Sequence, residues 1–183
     1  MPRALAPDGF LAPPRGDNSG VAEAPEILTI GHSTHSLERF VALLEAHSVG
    51  LVCDVRRYPG SRRNPQFNAA SLESALAEAG RGYAGLGDEL GGRRRPRRDS
   101  PHTAWRVAAF RGYADHMETE EFAAGLERLE ALAEAHRSAV MCAEGDWRRC
   151  HRRLISDALV SRGWRVLHIR PDGRLEEHQP SLG

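Results

Sequence analysis

Four short apolar runs that alternate with longer segments constrain the fold of this chain more than any other feature. They occupy residues 26–30, 51–55, 139–142 and 164–169. Residues 37–47, between the first two runs, carry apolar side chains at three- and four-residue spacing, which is typical of an amphipathic helix. Strands that alternate with helices form parallel sheets through right-handed crossovers. We therefore predict an α/β fold: a single domain with a mainly parallel central sheet and helices packed on both faces.

The length of the chain fits one such domain. Its 183 residues are enough for one substantial core and too few for two comfortable ones. Residues 1–25 are rich in Pro, Gly and Ala and have no apolar periodicity, so we expect a flexible N-terminal arm there. We expect the α/β domain to span residues 26–175 and a C-terminal tail to follow at 176–183.

Composition predicts the cellular location. No apolar stretch reaches the roughly 18 residues that a membrane helix needs, and residues 1–24 lack the apolar core of a signal peptide. The chain has three cysteines, Cys53, Cys142 and Cys150, too few and too odd in number for a disulfide framework. We expect a cytoplasmic protein with reduced thiols and no membrane partner.

All 25 basic residues are arginine, so the chain cannot use a lysine Schiff base or the lysine of a P-loop.

The charge of the chain is unevenly distributed. Residues 56–111 hold 12 arginines and 5 acidic residues (+7), whereas residues 112–147 hold 2 arginines and 9 acidic residues (−7). The arginine run at residues 93–98 allows two interpretations. It is either a contact surface for phosphate or nucleic acid, or a solvated loop.

Residues 138–153 bring the most reactive side chains together, where a predicted strand is followed by a predicted helix. Cys142 and Glu144 end the strand, and Cys150 and His151 begin the helix. Ligands of open α/β sheets bind beyond the carboxyl ends of the strands. Further polar residues follow the first two apolar runs: His32, Asp54 and Arg56. We therefore predict a polar site at this edge of the sheet.

Two carboxylates with arginine neighbours favour acid–base chemistry. We predict an enzyme that acts on a phosphate-bearing substrate, a nucleotide or nucleic acid, by hydrolysis at a glycosidic or phosphate bond. The predicted catalytic residues are Glu144, Asp54, His151 and His32. The predicted substrate-binding residues are Arg56, Arg62, Arg148 and Arg152. No motif points to a particular cofactor or oligomeric state.

Alternative functions stay open. The arginines and the aromatic residues Tyr58, Phe67, Trp105 and Trp147 would also suit a non-enzymatic module that binds nucleotides or nucleic acid. In a third alternative, the basic run contacts an acidic partner protein.

Two further interpretations involve the cysteines. Cys142 and Arg148 fit the Cys-x5-Arg pattern of cysteine phosphatases and rhodaneses. Cys142, Cys150 and His151 are suitable zinc ligands, but no Cys-x2-Cys pair accompanies them, so metal binding is not our preferred prediction. Cys142-Ala-Glu144 is similar to the Cys-Ala-Glu of zinc nucleoside deaminases, whose downstream Pro-Cys-x-x-Cys is absent.

A series of short motifs resembles the signature of the domain of unknown function 488 family. The motifs are Gly31-His-Ser-Thr34, Asp54-Val-Arg56, Pro59, Ser61-Arg62, Phe67, Leu90-Gly91-Gly92, Tyr113-Ala114, Cys142-Ala-Glu144 and Cys150-His-Arg152. They follow one another in order from about residue 27 to residue 169. The resemblance implies a compact α/β domain and these marker residues, without an established reaction.

Overall fold

Six strands form one twisted sheet in the computed structural model, which describes residues 23–181. The strands are β1 (Glu26–Gly31), β2 (Leu51–Asp54), β3 (Gly82–Gly85), β4 (Ser138–Cys142), β5 (Arg165–Ile169) and β6 (Leu175–Glu177). Their order across the sheet is β3-β2-β4-β1-β5-β6. Only β6 is antiparallel to its neighbour, which is β5. The prediction of a mainly parallel sheet is confirmed.

Six α-helices of the described residues connect and cover the strands. They are α1 (Leu37–Ala46), α2 (Ala69–Glu78), α3 (Gly87–Leu90), α4 (Ala108–His116), α5 (Glu120–Ala135) and α6 (Arg152–Ser161). Short 3-10 helices at Pro65–Phe67 and Trp147–Arg149 lie before α2 and α6. In the described part of the chain, no helix combines the length and the apolar character needed to cross a membrane.

Two apolar clusters cover the two faces of the sheet. Helices α1 and α2 pack on one face against side chains such as Leu28 and Ile30. The helices α3 to α6 pack on the other face, against side chains such as Ile27 and Val140. Strands that are buried on both faces have nearly continuous apolar sequences, which explains the runs in the sequence. The predicted α/β domain with helices on both faces is confirmed.

The predicted terminal segments fall mostly outside the described residues. Residues 1–22 of the predicted arm and residues 182–183 of the predicted tail are not described. Glu176 and Glu177, which we assigned to the tail, belong to β6 and pair with β5. The sheet therefore extends beyond the predicted boundary at residue 175.

The strand order brings three connecting segments to one edge of the sheet. β4 lies between β2 and β1, with Cys142 opposite Gly31 and Met141 opposite Asp54. Because all three strands are parallel, the residues that follow them leave the sheet on the same side. This topology places the segments after β1, β2 and β4 next to one another.

The close approach of these segments predicts a stability effect at Gly31. A Cβ atom at this position would lie 1.8 Å from the carbonyl oxygen of Glu144, whereas a Cβ at Gly60 would meet nothing within 4 Å. We expect Gly31→Ala to lower the free energy of unfolding by about 1–3 kcal/mol, the usual range for overpacking. Gly60→Ala is the matched control and should change it by less than about 0.5 kcal/mol. Urea unfolding followed by circular dichroism measures both; equal midpoints for the two variants would contradict the close approach.

Candidate active site

A cleft of about 280 Å³ opens at the carboxyl ends of β2 and β4. The segment after β2 (residues 56–58) forms one side, and the segment after β4 (residues 142–144) forms the floor. Residues 92–93 and side chains of α4, including Tyr113, form the opposite wall. The cleft ends at the start of α6, where residues 149–151 line it. The predicted location of a polar site at this edge thus coincides with a cleft.

Two thiols lie at the bottom of the cleft. Cys142 is the last residue of β4, and Cys150 lies two residues before the first residue of α6. Their Sγ atoms are 2.7 Å apart, and both side chains are buried. The backbone N–H of Arg152 donates to Cys150 Sγ at 3.3 Å. Cys150 therefore lies at a helix N-terminus, where free N–H groups and the helix dipole favour negative charge.

His151 is oriented by a backbone contact. Its Nε2 atom lies 2.9 Å from the carbonyl oxygen of Val55. Because a carbonyl oxygen can only accept, Nε2 carries the hydrogen, and Nδ1 of the neutral ring carries a lone pair. Nδ1 lies 3.7 Å from Cys150 Sγ. The imidazole is therefore positioned to accept the proton of the Cys150 thiol.

Arg152 is a buried cation directly behind the thiols. Its side chain is only 1% exposed. Its guanidinium donates to Thr29 Oγ1 at 3.1 Å and to the carbonyl oxygen of Glu144. Within residues 23–181, no carboxylate lies within ion-pair distance of it. Because a buried charge requires a compensating partner, the nearby thiols are the groups that can supply the negative charge.

The pKa values of the two thiols move in opposite directions. Burial raises the pKa of Cys150, but contacts with Cys142 and His151 and the charge of Arg152 outweigh it and hold the pKa well below the ordinary value. Burial and the contact with Cys150 raise the pKa of Cys142 well above the ordinary value. Burial also raises the pKa of Cys53, which lies in the core away from the cleft, to about 12. The N–H of Arg152 and the imidazole of His151 both contact Cys150, so Cys150 is the better placed thiolate of the pair.

A buried chain of hydrogen bonds, which we call the histidine relay, extends from Arg152 to Asp157. Thr29 Oγ1 lies 2.7 Å from His168 Nδ1, and His168 Nε2 lies 2.9 Å from His178 Nδ1. His178 Nε2 lies 2.7 Å from Asp157 Oδ1. Because the carboxylate can only accept, every donor in the chain points from Arg152 toward Asp157 when both rings are neutral. Burial, with smaller effects of His178 and Arg152, lowers the pKa of His168 to about 2.

The predicted catalytic residue Asp54 does not line the cleft. Its side chain is buried at the end of β2, where Arg56 donates to both carboxylate oxygens, at 2.9 and 2.7 Å. The Tyr83 hydroxyl donates to the same carboxylate at 2.7 Å. Burial and Asp54 raise the pKa of that phenol. Asp54 therefore holds Arg56, which does line the cleft, instead of facing the cleft itself.

Three other predicted site residues also lie away from the cleft. His32 is buried, stacks on Phe67 with a centroid distance of 4.4 Å and contacts its neighbouring backbone. Arg62 is exposed on the loop after β2. Arg148 forms an ion pair with Glu176 of β6 and lies over the Trp147 ring, 4.5 Å from its centroid. Cys142 therefore lines the cleft, whereas Arg148 does not.

The structure brings Glu144, His151, Arg56 and both predicted thiols to the cleft. Arg152 reaches this group from behind, through Cys150 and the Glu144 backbone. Three arginines outside the predicted set of substrate-binding residues also line the cleft: Arg57, Arg93 and Arg149. The only signal for Arg93 was its place in the arginine run, which does not distinguish it from its neighbours.

The cleft carries uncompensated charge. Arg57, Arg93 and Arg149 have no ion-pair partner among residues 23–181, and neither does the Glu144 carboxylate. Other arginines of the run have structural roles: Arg94 contacts backbone oxygens, and Arg97 pairs with Asp115 and Glu118 of the α4–α5 region. These contacts hold residues 91–107 against the domain, so that Gly92 and Arg93 form a wall of the cleft.

A metal site would require at least three protein ligands around one point. In the described segment, no three His, Cys, Asp or Glu side chains are grouped so that they could hold a metal ion. Cys142, Cys150 and His151 instead contact one another or the backbone.

The fold and the cleft define an α/β protein with a thiol pair at the carboxyl edge of a parallel sheet and arginines around it. A family model described as domain of unknown function DUF488 matches residues 36–159, about two thirds of the chain. The chain belongs to this family, which confirms the resemblance of its motifs. Neither curated proteins nor solved structures gave a significant match.

The thiol environment predicts selective alkylation. We expect iodoacetamide at pH 7 to modify Cys150 at least about tenfold faster than Cys142 or Cys53, because the thiolate is the reactive form. Peptide mass spectrometry at successive times measures the three rates. In the unfolded chain, the control, the three cysteines should react at similar rates. Modification of Cys53 first in the folded protein would contradict the assignment of the thiolate.

The histidine relay predicts a pH dependence of stability. His168 stays neutral in the folded state down to a pKa of about 2, whereas it binds a proton near pH 6.5 when unfolded. The unfolded state therefore binds more protons below pH 6.5, and stability falls as pH decreases from 7 to 4. The binding of one such proton changes the free energy of unfolding by at most about 1.4 kcal/mol per pH unit.

Replacement of His168 isolates this contribution. We expect His168→Gln to lower stability at pH 7 but to flatten its decrease between pH 7 and 4, as measured by urea unfolding at each pH. His47→Gln removes a histidine outside the relay, which contacts the carbonyl oxygen of Gly173, and should keep the wild-type slope. Identical slopes for His168→Gln and wild type would show that His168 is not held neutral.

Proposed function

We propose that the protein is an enzyme that acts on a phosphate-bearing substrate, a nucleotide or nucleic acid, with Cys150 as its nucleophile. One observation carries this proposal: Cys150 borders the cleft while Arg152, a buried cation without a carboxylate partner, lies behind it. A cation in this position stabilises a thiolate, and the thiolate is the nucleophilic form of cysteine.

The charge of the cleft supports a phosphate-bearing substrate. Arg57, which lies over the Tyr58 ring at 5.7 Å from its centroid, and Arg93 and Arg149 have no ion-pair partner among the described residues. Arginine binds phosphate through two parallel hydrogen bonds. Tyr58 at the rim is 61% exposed. An exposed aromatic ring beside unpaired arginines suits a nucleobase that stacks while its phosphate is held.

The side chains in the cleft support a two-step reaction. His151 Nδ1 accepts the Cys150 proton, and Cys150 Sγ bonds to the electrophilic centre of the substrate. The bond to the leaving group breaks, and the leaving atom takes the proton that His151 holds. Water, deprotonated by the Glu144 carboxylate, which has no ion-pair partner among the described residues, then displaces Sγ as a thiolate and releases the product. The proton on Glu144 returns through His151 to Cys150.

This mechanism keeps part of the predicted acid–base chemistry. Glu144 remains the candidate general base. Asp54 acts as a positioning residue, because it fixes the guanidinium of Arg56 at the side of the cleft. Free thiols at the site suit the reducing cytoplasm that the sequence led us to expect.

The exposed rim also supports a second candidate, a module that binds nucleotides or nucleic acid without catalysis. Tyr58 and the unpaired arginines would suffice for this function, and the thiols would then have no chemical role. The two candidates differ in what happens at Cys150, because binding alone does not require a thiolate.

Substitutions in the cleft test the proposal. We expect a panel of nucleotides and short single-stranded oligonucleotides to contain a substrate, with products detected by chromatography. Cys150→Ser should lower kcat at least about 10³-fold, and Glu144→Gln about 10²-fold or more, the usual effect of losing a general base. Arg149→Gln should weaken binding about tenfold, equivalent to roughly 1.4 kcal/mol.

Matched variants and salt distinguish the candidates. Arg62→Gln alters an exposed arginine outside the cleft and should leave kcat and affinity unchanged. Cys150→Ser should still bind the substrate with a Kd within about threefold of wild type, and added salt should weaken that binding. Turnover that persists in Cys150→Ser rejects the nucleophile, and binding without any turnover in wild type favours the module.

A further inference from the structure

We propose that Cys142 and Cys150 form a reversible disulfide at the floor of the cleft, and that the buried cation behind them keeps this disulfide easy to reduce. The bond goes beyond the proposed function, because it can form whether or not Cys150 attacks a phosphate-bearing substrate. Its reaction partner is a low-molecular-weight disulfide that enters the cleft.

The two sulfur atoms are already in contact. They lie 2.7 Å apart, so that bond formation at about 2.05 Å requires a closure of only about 0.7 Å. Cys142 ends a strand and Cys150 follows a short 3-10 helix, with seven residues between them. This connection contains Gly145, whose backbone can adapt to a small shift. No large rearrangement is needed.

The two thiols have different roles in thiol–disulfide exchange. Cys150 borders the cleft, accepts the N–H of Arg152 and lies beside His151 Nδ1, so it is the attacking thiolate. Cys142 Sγ donates to the carbonyl oxygen of Glu144 at 3.7 Å and lies in contact with Cys150 Sγ, so it is the thiol that keeps its proton and resolves the mixed disulfide. The third cysteine, Cys53, lies in the core outside the cleft and takes no part.

The exchange is balanced in two steps. Cys150 Sγ attacks one sulfur of glutathione disulfide, the S–S bond of glutathione breaks, and one glutathione thiolate leaves. Cys142 Sγ then attacks Cys150 Sγ, its proton passes to the second departing glutathione, and the Cys142–Cys150 bond forms. Two protein thiols are oxidised and one glutathione disulfide is reduced to two glutathiones.

Charge compensation makes the reduced form the favoured one. In the dithiol state, the Cys150 thiolate is the negative group beside the guanidinium of Arg152. A disulfide carries no charge, so oxidation leaves Arg152 buried without an anion among the described residues. Stabilisation of the reduced form makes a disulfide more oxidising. Oxidation of the pair therefore needs glutathione disulfide in excess, and reduced glutathione readily returns the disulfide to thiols.

The full-length protein can be tested in glutathione redox buffers. After an acid quench and unfolding, N-ethylmaleimide labels each free thiol, and intact mass counts the adducts. We expect three adducts in reduced glutathione and one adduct, on Cys53, in glutathione disulfide. Trypsin should release residues 138–148 linked to residues 150–152. The matched variant Cys142→Ser should instead accumulate a mixed disulfide of Cys150 with glutathione.

Several results would overturn the proposal. Three adducts in glutathione disulfide, or a wild-type mixed disulfide that Cys142 fails to resolve, would reject the intramolecular bond. A link that includes Cys53 would reject the pairing.

Two variants test the effect of charge. Arg152→Gln should raise the equilibrium constant for oxidation at least tenfold, because the thiolate loses its cation. His151→Gln keeps a donor for the carbonyl oxygen of Val55 and should raise it about threefold, which provides a measurement even if Arg152→Gln does not fold. Unchanged constants in the folded variants would reject the role of charge.

The outcome is separable from the proposed enzymatic function. A linked peptide together with turnover in Cys150→Ser would reject only the nucleophile. Loss of turnover in Cys150→Ser without a linked peptide would reject only the disulfide.

Discussion

The buried guanidinium of Arg152 is the interaction on which the site depends. It connects β1 through Thr29, the segment after β4 through the Glu144 carbonyl oxygen, and α6 through its own backbone. These are the segments that the strand order brings to one edge. Removing the guanidinium while keeping its neighbours would take one buried hydrogen bond from Thr29 and one from the Glu144 carbonyl oxygen, at a cost of about 0.5–1.5 kcal/mol for each bond. Arg152 is therefore both a structural and an electrostatic centre.

The histidine relay extends this electrostatic centre toward the surface. Each of its hydrogen bonds donates in the direction of Asp157, which is partly exposed. Aligned hydrogen bonds polarise one another, so the carboxylate stabilises the distant guanidinium without approaching it. The direct neighbours of Arg152 can then be thiols instead of a carboxylate. A carboxylate next to Arg152 would compensate its charge and remove the reason for a thiolate at Cys150.

The sequence allowed the fold and the location of the site to be predicted, because both depend on local patterns. Apolar runs identified the main strands, and the residues after them identified the edge with Cys142, Glu144 and His151. The antiparallel strand β6 was missed, since Leu-Glu-Glu at a sheet edge has no apolar periodicity. The helix α4 was missed as well; it contains Gly112, where the backbone of Arg94 leaves no room for a Cβ.

The assignment of roles within the site depended on contacts between segments that are distant in sequence. Asp54 and Arg56 are two residues apart at the end of the second apolar run, which suggested two independent side chains in the site. In the folded chain they pair with each other, and Tyr83 from β3 donates to Asp54 Oδ2, which Arg56 also contacts. Arg148 likewise pairs with Glu176, a residue of the strand that the sequence pattern does not identify. Spacing alone does not reveal such partners.

The positions of the arginines resolve a conflict that any thiolate enzyme for phosphate substrates faces. A thiolate and a phosphate repel each other, by roughly 4 kcal/mol at 4 Å for an effective dielectric constant of 20. Here the cations form two layers. Arg152 lies behind Cys150, the proposed nucleophile, whereas Arg57, Arg93 and Arg149 line the cleft. In the proposed mechanism the inner cation is already engaged by the protein, so a bound phosphate would not compete for it, and the thiolate would stay charged while the substrate approaches.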